Sequence, residues 1–169
     1  METSNEVLNR FGERFVSAIK TALQTKDLTG YGPSVASGEL LNSIRYEVNG
    51  NSLTIFGKQY IGALENGRKP TENTGDGTLR EKIRRWIDVK GIEPVDISKD
   101  SLAYLIARKI HEEGTIIYRK YQGQSSGLLE DAINEDEIES LQDALIFAYV
   151  ETVKSSILKK VPQANKVMA

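Results

Sequence analysis

The stretch GKQYIGALENGRKP (57–70) places a tyrosine, a glutamate and a lysine close behind a predicted strand. Glu65 and Lys69 in this stretch, together with Glu47 on the first strand of a predicted hairpin, could supply the carboxylates and the lysine of a metal-dependent nuclease. Such a site needs its carboxylates on a central pair of strands. Because Glu65 and Lys69 fall on a predicted short helix and the loop after it, the pattern disfavours nuclease chemistry but leaves it as an alternative.

His111 is the only histidine, and it precedes two glutamates in the sequence KIHEEG. A zinc-binding HExxH helix would need a second histidine one turn further on, and this helix has none. The pattern therefore predicts a polar residue in the last turn of a helix rather than a metal ligand. The chain also has no cysteine, which excludes disulfides, thiolate metal sites and cysteine nucleophiles.

Two glycine-rich loops invite comparison with ligand-binding loops. The loop GYGPSVASGE (30–39) has neither the GK[ST] ending nor the GxGxxG spacing that phosphate binding uses. The loop NTGDGT (73–78) lacks the alternating carboxylates and the closing glutamate of a calcium loop. We therefore expect no cofactor, no metal and no catalytic activity.

A basic cluster lies between residues 68 and 85. It comprises Arg68, Lys69, Arg80, Lys82, Arg84 and Arg85. Arg80 and Arg84 are one helical turn apart, and we predict that they lie opposite the apolar side of their helix, formed by Ile83 and Ile87. Such a cluster could contact DNA phosphates without reading bases, although most such runs are solvated helix faces and Glu81 and Asp88 dilute this one. The net charge of −2 provides no overall attraction to nucleic acid or membrane.

The hydrophobic periodicity predicts an α+β fold. An N-terminal amphipathic helix (5–25) precedes a β-hairpin, in which strands 43–48 and 52–57 flank Asn49-Gly50-Asn51. A short helix (58–66, inner side Tyr60, Ala63 and Leu64), two middle helices and a long final helix (about 135–160) follow, with loops at 29–38 and 68–78. The stretch 114–127 reads as a β-like run followed by a flexible Gly/Ser segment.

Apolar stripes predict which side of each later helix is buried. For helix 79–89 the stripe is Leu79, Ile83, Trp86 and Ile87; for helix 99–113 it is Leu102, Leu105, Ile106 and Ile110; for the final helix it is Ile138, Leu141, Leu145, Ala148, Val153 and Ile157. We predict one α+β domain (1–127) and a C-terminal helical extension (128–169) that packs on it. The N-terminus does not resemble a signal peptide, and no apolar run approaches the roughly 20 residues of a membrane span, so we expect a soluble protein.

The order of short motifs resembles that of the tail-completion or neck proteins of tailed bacteriophages, small virion proteins that join head to tail. Their pattern is Gly-x-Leu-x-x-Ser-Ile, a hairpin, then Tyr-Ala-x-x-Val-Glu-x-Gly-Thr. It matches here at Gly38, Leu40, Ser43, Ile44, Tyr60, Leu64, Glu65 and Gly67. The resemblance covers roughly residues 5–120, with Ile61, Asn66 and Arg68 as departures from the usual residues.

The resemblance implies a non-enzymatic virion protein that forms a homo-oligomeric ring, a hexamer or dodecamer, at the neck or tail. Its partners would be portal or adaptor proteins or tail-tube proteins, with possible contact to passing DNA and no membrane. It would assemble in the host cytoplasm.

The segment after the second strand would then form a corner or subunit interface comprising Tyr60, Gly62, Glu65, Gly67 and Arg68. We expect Tyr60 to bury its ring, Gly62 to allow a backbone to approach closely and Gly67 to end the helix in a left-handed conformation. Glu65 would cap a helix or pair with an arginine. The alternative is that these residues form only a tight turn.

Overall fold

The structure of the protein, a computed structural model, describes residues 2–33, 35–71 and 77–167, with the backbone alone at 161–167. The fold is α+β and 63% helical, which confirms the predicted class. The described helices are α1 (Ser4–Thr25), α2 (Glu39–Ser43), α3 (Ile61–Glu65), α4 (Thr78–Val89), α5 (Lys99–Glu113), α6 (Ile116–Tyr121), α7 (Leu128–Ala132) and α8 (Glu135–Val167). Strands β1 (Arg45–Asn49) and β2 (Ser52–Phe56) form a two-stranded antiparallel sheet.

Helix α1 is the centre of the fold. It begins with a capping box, in which the Thr3 hydroxyl accepts from the backbone N–H of Glu6 and the Glu6 carboxylate accepts from the N–H of Thr3. The amphipathic helix predicted here is confirmed, since its apolar side chains Leu8, Phe11, Phe15, Ile19 and Leu23 are buried and Phe11 is fully enclosed. The sheet, α7 and α8 all pack against α1. One long amphipathic helix therefore organises most of the core.

The hairpin follows the predicted pattern. Asn49 pairs with Ser52 across a two-residue turn, and Gly50 has φ +57° at its first position, where a type II′ turn needs glycine. The Tyr46 ring of β1 lies against Gly12 of α1, where an added Cβ would come within 2.4 Å of the ring. The glycine in α1 thus creates the space into which the sheet packs.

Helices α4 and α5 pack mainly against each other and form a helical arm. Links between this arm and the rest include the Lys90 ammonium, which donates to the carbonyl of Val35 at 2.8 Å, and the backbone N–H of Thr71, which donates to the carbonyl of His111 at 2.9 Å. Helix α4 ends before Gly91, as the sequence predicts.

The predicted buried sides of the arm are only partly right. In α5 the buried residues are Ala103, Ala107 and His111, whereas Leu105 is 51% exposed. The buried side is rotated by about one residue from the predicted one, because two alanines and a hydrogen-bonded histidine line it. A prediction from hydrophobicity alone underestimates how often such residues are buried. In α4, Ile87 is buried but Trp86 is 39% exposed.

The β-like run and flexible segment predicted at 114–127 are wrong. Residues 116–121 form helix α6, because the Thr115 hydroxyl accepts from the N–H of Tyr118 as an N-cap and Ile117 is buried. Consecutive isoleucines suggested a strand, but the cap and the core contact select a helix. Ser126, in the supposedly flexible part, is buried.

Helix α8 differs from its prediction both in its length and in which of its apolar side chains are buried. It continues to Val167, beyond Pro162, where the sequence predicts an end. Leu141, Leu145 and Ala148 pack towards α1, but Val153 and Ile157 of the same predicted stripe are 57% and 56% exposed. The stripe fails there because α8 runs past the surface it packs on.

Asp27 organises the loop after α1. Its carboxylate accepts from the backbone N–H groups of Gly32 (2.9 Å), Gly30 (2.7 Å) and Thr29 (3.0 Å). These donors, that of Gly32 first, lower the pKa of Asp27 below its ordinary value. The loop is therefore shaped by a local hydrogen-bonding network.

Replacing Asp27 with asparagine should accelerate proteolysis between residues 29 and 33. Because the pKa of Asp27 is lowered in the folded state, its ionised carboxylate stabilises the folded chain at pH values above the unfolded pKa of about 3.9. This stabilisation is lost as the pH falls through the folded pKa. Limited proteolysis at neutral pH, followed by mass spectrometry, measures the effect. Asp136→Asn is the matched control, and equal cleavage rates in the two variants would contradict this role.

Candidate functional site

The corner after the hairpin is built from α3 and the residues that follow it, and it packs against α6 and α7. The Glu65 carboxylate accepts hydrogen bonds from the Ser125 hydroxyl and from the backbone N–H of Leu129, the latter at 3.0 Å. The backbone carbonyl of Glu65 accepts from the backbone N–H of Ser126 at 2.6 Å. Leu129 lies in the first turn of α7, so Glu65 caps that helix from a distance. The predicted capping role is correct, but the helix is α7.

Gly67 makes the close approach that we predicted for Gly62. Gly67 has φ +70°, and an added Cβ would lie 2.3 Å from the backbone nitrogen of Tyr118. Gly62 has nothing within 4 Å of such an atom and is exposed. The left-handed conformation predicted for Gly67 is confirmed, whereas the close contact predicted for Gly62 is wrong within the chain.

Tyr60 does not bury its ring as predicted. It is 46% exposed and occupies the N-cap position of α3. Ala63 is also exposed, so the inner side of α3 consists of Ile61 and Leu64 instead. Partial burial nevertheless raises the pKa of the Tyr60 hydroxyl, and the Lys58 ammonium opposes part of that rise. Tyr60 precedes the first helical residue, so it does not share the inner side formed by Ile61 and Leu64.

Arg68 joins the corner to α6 through its backbone. Its N–H donates to the Thr115 hydroxyl and its carbonyl accepts from the N–H of Thr115, both at 2.9 Å. Nearby, the Thr71 hydroxyl and His111 Nδ1 lie 2.5 Å apart. His111 lies in the last turn of α5, as predicted, where it is buried and hydrogen-bonds to the loop between α3 and α4. The corner thus connects the arm to the main core.

Apart from Arg68, which is half-buried at the corner, the basic cluster divides into two groups. Arg84 does not lie opposite the apolar side of α4; its guanidinium bonds Asp88 and reaches Asp100 of α5 at 3.2 Å, beside the arm's buried side. Lys69, Arg80, Lys82 and Arg85 are exposed and form no salt bridge with the described residues. Arg85 does contribute to lowering the pKa of Glu39, after the larger effect of Lys58. Among the described residues, the exposed cations without a salt-bridge partner are therefore fewer than the sequence suggests.

The residues of the nuclease alternative have separate partners. Glu47 pairs with Arg45 at 3.4 Å on the exposed side of the hairpin, while Glu65 is bonded to Ser125 and Leu129. Among residues 2–33, 35–71 and 77–167, no group of three or more histidine and acidic side chains is arranged to bind a metal ion.

An open groove of about 700 Å³ runs along α1 towards the start of α8. Two salt bridges cross it: Arg14 to Glu137 at 2.6 Å and Lys26 to Asp131 at 2.5 Å. Lys26 also donates to the carbonyls of Ser126 and Gly127. The charged side chains of the groove therefore join α1 to α7 and α8.

Comparisons of the chain with protein-family models, with curated proteins and with solved structures give no match. Within the described part of the chain, no helix combines the length and apolar character that crossing a membrane requires.

Sequence reasoning missed an exposed apolar surface on the side of α8 that faces away from α1. It includes Ile146, Phe147, Val150, Val153, Ile157 and Leu158, each at least 56% exposed. The signal was present in the spacing of Ile146, Val150, Val153 and Ile157, which repeats every four, three and four residues. The predicted core stripe merged this line with the one that faces α1.

Removing the carboxylate at the corner should destabilise the fold. Glu65→Gln keeps the side-chain size but weakens two charge-assisted bonds, so we expect a loss of about 1.5–3 kcal/mol in the free energy of unfolding. Urea denaturation measures it. The matched control is Glu47→Gln, whose exposed pair with Arg45 should contribute under about 1 kcal/mol. Equal effects in both variants would contradict the capping role.

Gly62→Ala should leave the isolated chain as stable as before or raise its stability by about 0.5–1 kcal/mol. Gly62 lies inside helix α3 without a positive φ, and alanine loses less backbone entropy there. Thermal unfolding of the two proteins provides the comparison. A clear loss of stability would show an intrachain contact at Gly62 that the structure lacks.

Proposed function

We propose that this chain is a non-enzymatic structural protein of a tailed bacteriophage, a subunit of the ring that joins head to tail or completes the tail. The observation that carries the proposal is the amount of apolar side chain left exposed on α8 and the helical arm. Phe147 and Val95 are 69% and 82% exposed, and such surfaces usually mark contacts with other proteins. The order of the sequence motifs supports the proposed class of assembly.

The corner has a specific place in this proposal. Glu65 and Gly67 are occupied by contacts within the chain, whereas Tyr60 and Gly62 face outwards from α3. A neighbouring subunit would therefore contact the outer side of α3 at Tyr60 and Gly62. In a ring, such a contact is heterologous and closes by rotation.

Light scattering tests the proposal. We expect the purified chain, alone or with purified portal or tail-tube protein, to form a particle whose mass corresponds to six or twelve copies. Gly62→Ala should weaken that assembly while keeping the chain folded, with Gly50→Ala as a control on the far side of the hairpin. A chain that joins neither partner at any concentration would overturn the proposal.

A second candidate function, contact with DNA backbone, is favoured by the exposed cations Lys69, Arg80, Lys82 and Arg85. It predicts binding to duplex DNA that weakens steeply with salt and with the double substitution Lys82→Glu and Arg85→Glu. Absence of a mobility shift at low salt would exclude it as an independent function. Weak contact inside a ring lumen would still be compatible with the first candidate.

A further inference from the structure

A line of side chains runs along α8 on the side away from α1. We define this outer line by Asp143, Ile146, Val150, Val153, Ile157 and Lys160. Its four apolar members are between 56% and 62% exposed, while Leu141, Ala144, Leu145 and Ala148 face the core. Spacings of three and four residues alternate along it, which is the pattern of a coiled-coil seam.

We propose that the outer line binds a second copy of this chain, with the two α8 helices antiparallel. In that arrangement Val150 faces Val153 of the other copy, and Ile146 faces Ile157. The next positions outward then place Asp143 opposite Lys160. Each contact occurs twice, as a two-fold axis requires, so the line is complementary to itself in both shape and charge.

Charge selects this orientation over the parallel one. A parallel pair would place Asp143 next to Asp143 and Lys160 next to Lys160, so both ends of the seam would repel. The antiparallel pair converts these repulsions into two salt bridges that flank the apolar contacts. Asp143 and Lys160 are exposed and form no ion pair with the described residues of their own chain.

The C-terminal part of α8 adds a second reason. From Ser156 to Lys160 every side chain is exposed, so this part of the helix receives no support from the core. Helices in water depend mostly on packing of an apolar side, and short unsupported ones are marginal. A second α8 would supply that packing without displacing α1, since the core lies on the opposite side.

Disulfide cross-linking of the full chain tests both the contact and its direction, because the natural chain has no cysteine. Ile146→Cys and Ile157→Cys should each give no cross-linked dimer alone, since like positions in the antiparallel pair lie about 16 Å apart along the axis. A mixture of the two variants should give a disulfide-linked heterodimer on oxidation. Cross-linking of Ile146→Cys alone would indicate another orientation and overturn the proposal.

Sedimentation gives the matching measurement on the cysteine-free protein. We expect a concentration-dependent dimer between about 1 μM and 1 mM, because the seam is short. Val150→Asp should raise the dimer Kd at least about 100-fold, since each dimer would bury two carboxylates without partners. Ser156→Asp, exposed on the same helix, is the control. Circular dichroism verifies that both variants are folded, and a wild-type chain that stays monomeric overturns the proposal.

Both proposals use the exposed apolar side of α8, but the α8 contact does not require a ring, and the two can fail separately. A dimer that never forms larger particles would overturn the ring and leave the α8 contact standing. A ring of six or twelve copies that persists with Val150→Asp and gives no cross-link in the mixture would overturn the α8 contact and leave the ring standing.

Discussion

Phe11→Ala is expected to lower the free energy of unfolding by about 3–5 kcal/mol. Phe11 is completely buried at the contact between α1 and α8, with Val7, Phe15 and Ala148 in the same cluster. Its ring meets that of Phe15 edge-on, with centroids 5.8 Å apart. Truncation would leave a cavity that two long helices cannot close by moving together.

Two rings of the same type allow a controlled measurement. Phe147 lies on α8 and is 69% exposed, so Phe147→Ala should cost less than about 1 kcal/mol. Both variants would be unfolded in urea at a low protein concentration, so that self-association does not contribute. A loss at Phe11 no larger than that at Phe147 would show that the centre of the core lies elsewhere.

The difference in burial between Phe11 and Phe147 shows which part of the fold can be predicted from the sequence. The stripe through Phe11 and Phe15 was predictable because every turn of α1 is covered by another element, so burial follows hydrophobicity. Helix α8 is covered only along its first half. The hydrophobic pattern of α8 identifies its apolar side chains, but it does not show whether another element of the chain covers them. For this reason Val153 and Ile157 were wrongly predicted to be buried.

The corner residues show the same limit at the level of the site. The type of Gly67 and its place at a helix end predicted its positive φ, since that is a local property. The partners of Glu65 were not predictable, because Ser125 and Leu129 are about 60 residues away in the chain. Ser125 also lies in the segment that was predicted to be flexible. Close approach was assigned to Gly62 rather than Gly67 for the same reason. Neither glycine's neighbours can be inferred from adjacent sequence.

Gly67→Ala should be among the most damaging single substitutions, with an expected loss of about 3–5 kcal/mol in the free energy of unfolding. Two costs combine at this position. The backbone has φ +70°, which strains any residue with a Cβ, and the added methyl would lie 2.3 Å from the Tyr118 nitrogen and 2.5 Å from its Cα. Because those atoms belong to the backbone of helix α6, the contact cannot be relieved by rotating a side chain.

Gly50→Ala separates the two costs. Gly50 has φ +57° in the hairpin turn but nothing within 4 Å of an added Cβ, so its substitution should show the strain alone, about 1–2 kcal/mol. Urea denaturation of both variants then gives the cost of the contact by difference. Gly67→Asn, which tolerates the left-handed conformation but still carries a Cβ, should resemble Gly67→Ala. If Gly67→Asn were as stable as the natural chain, backbone strain alone would explain the glycine, and α6 would not be packed against the corner as the structure has it.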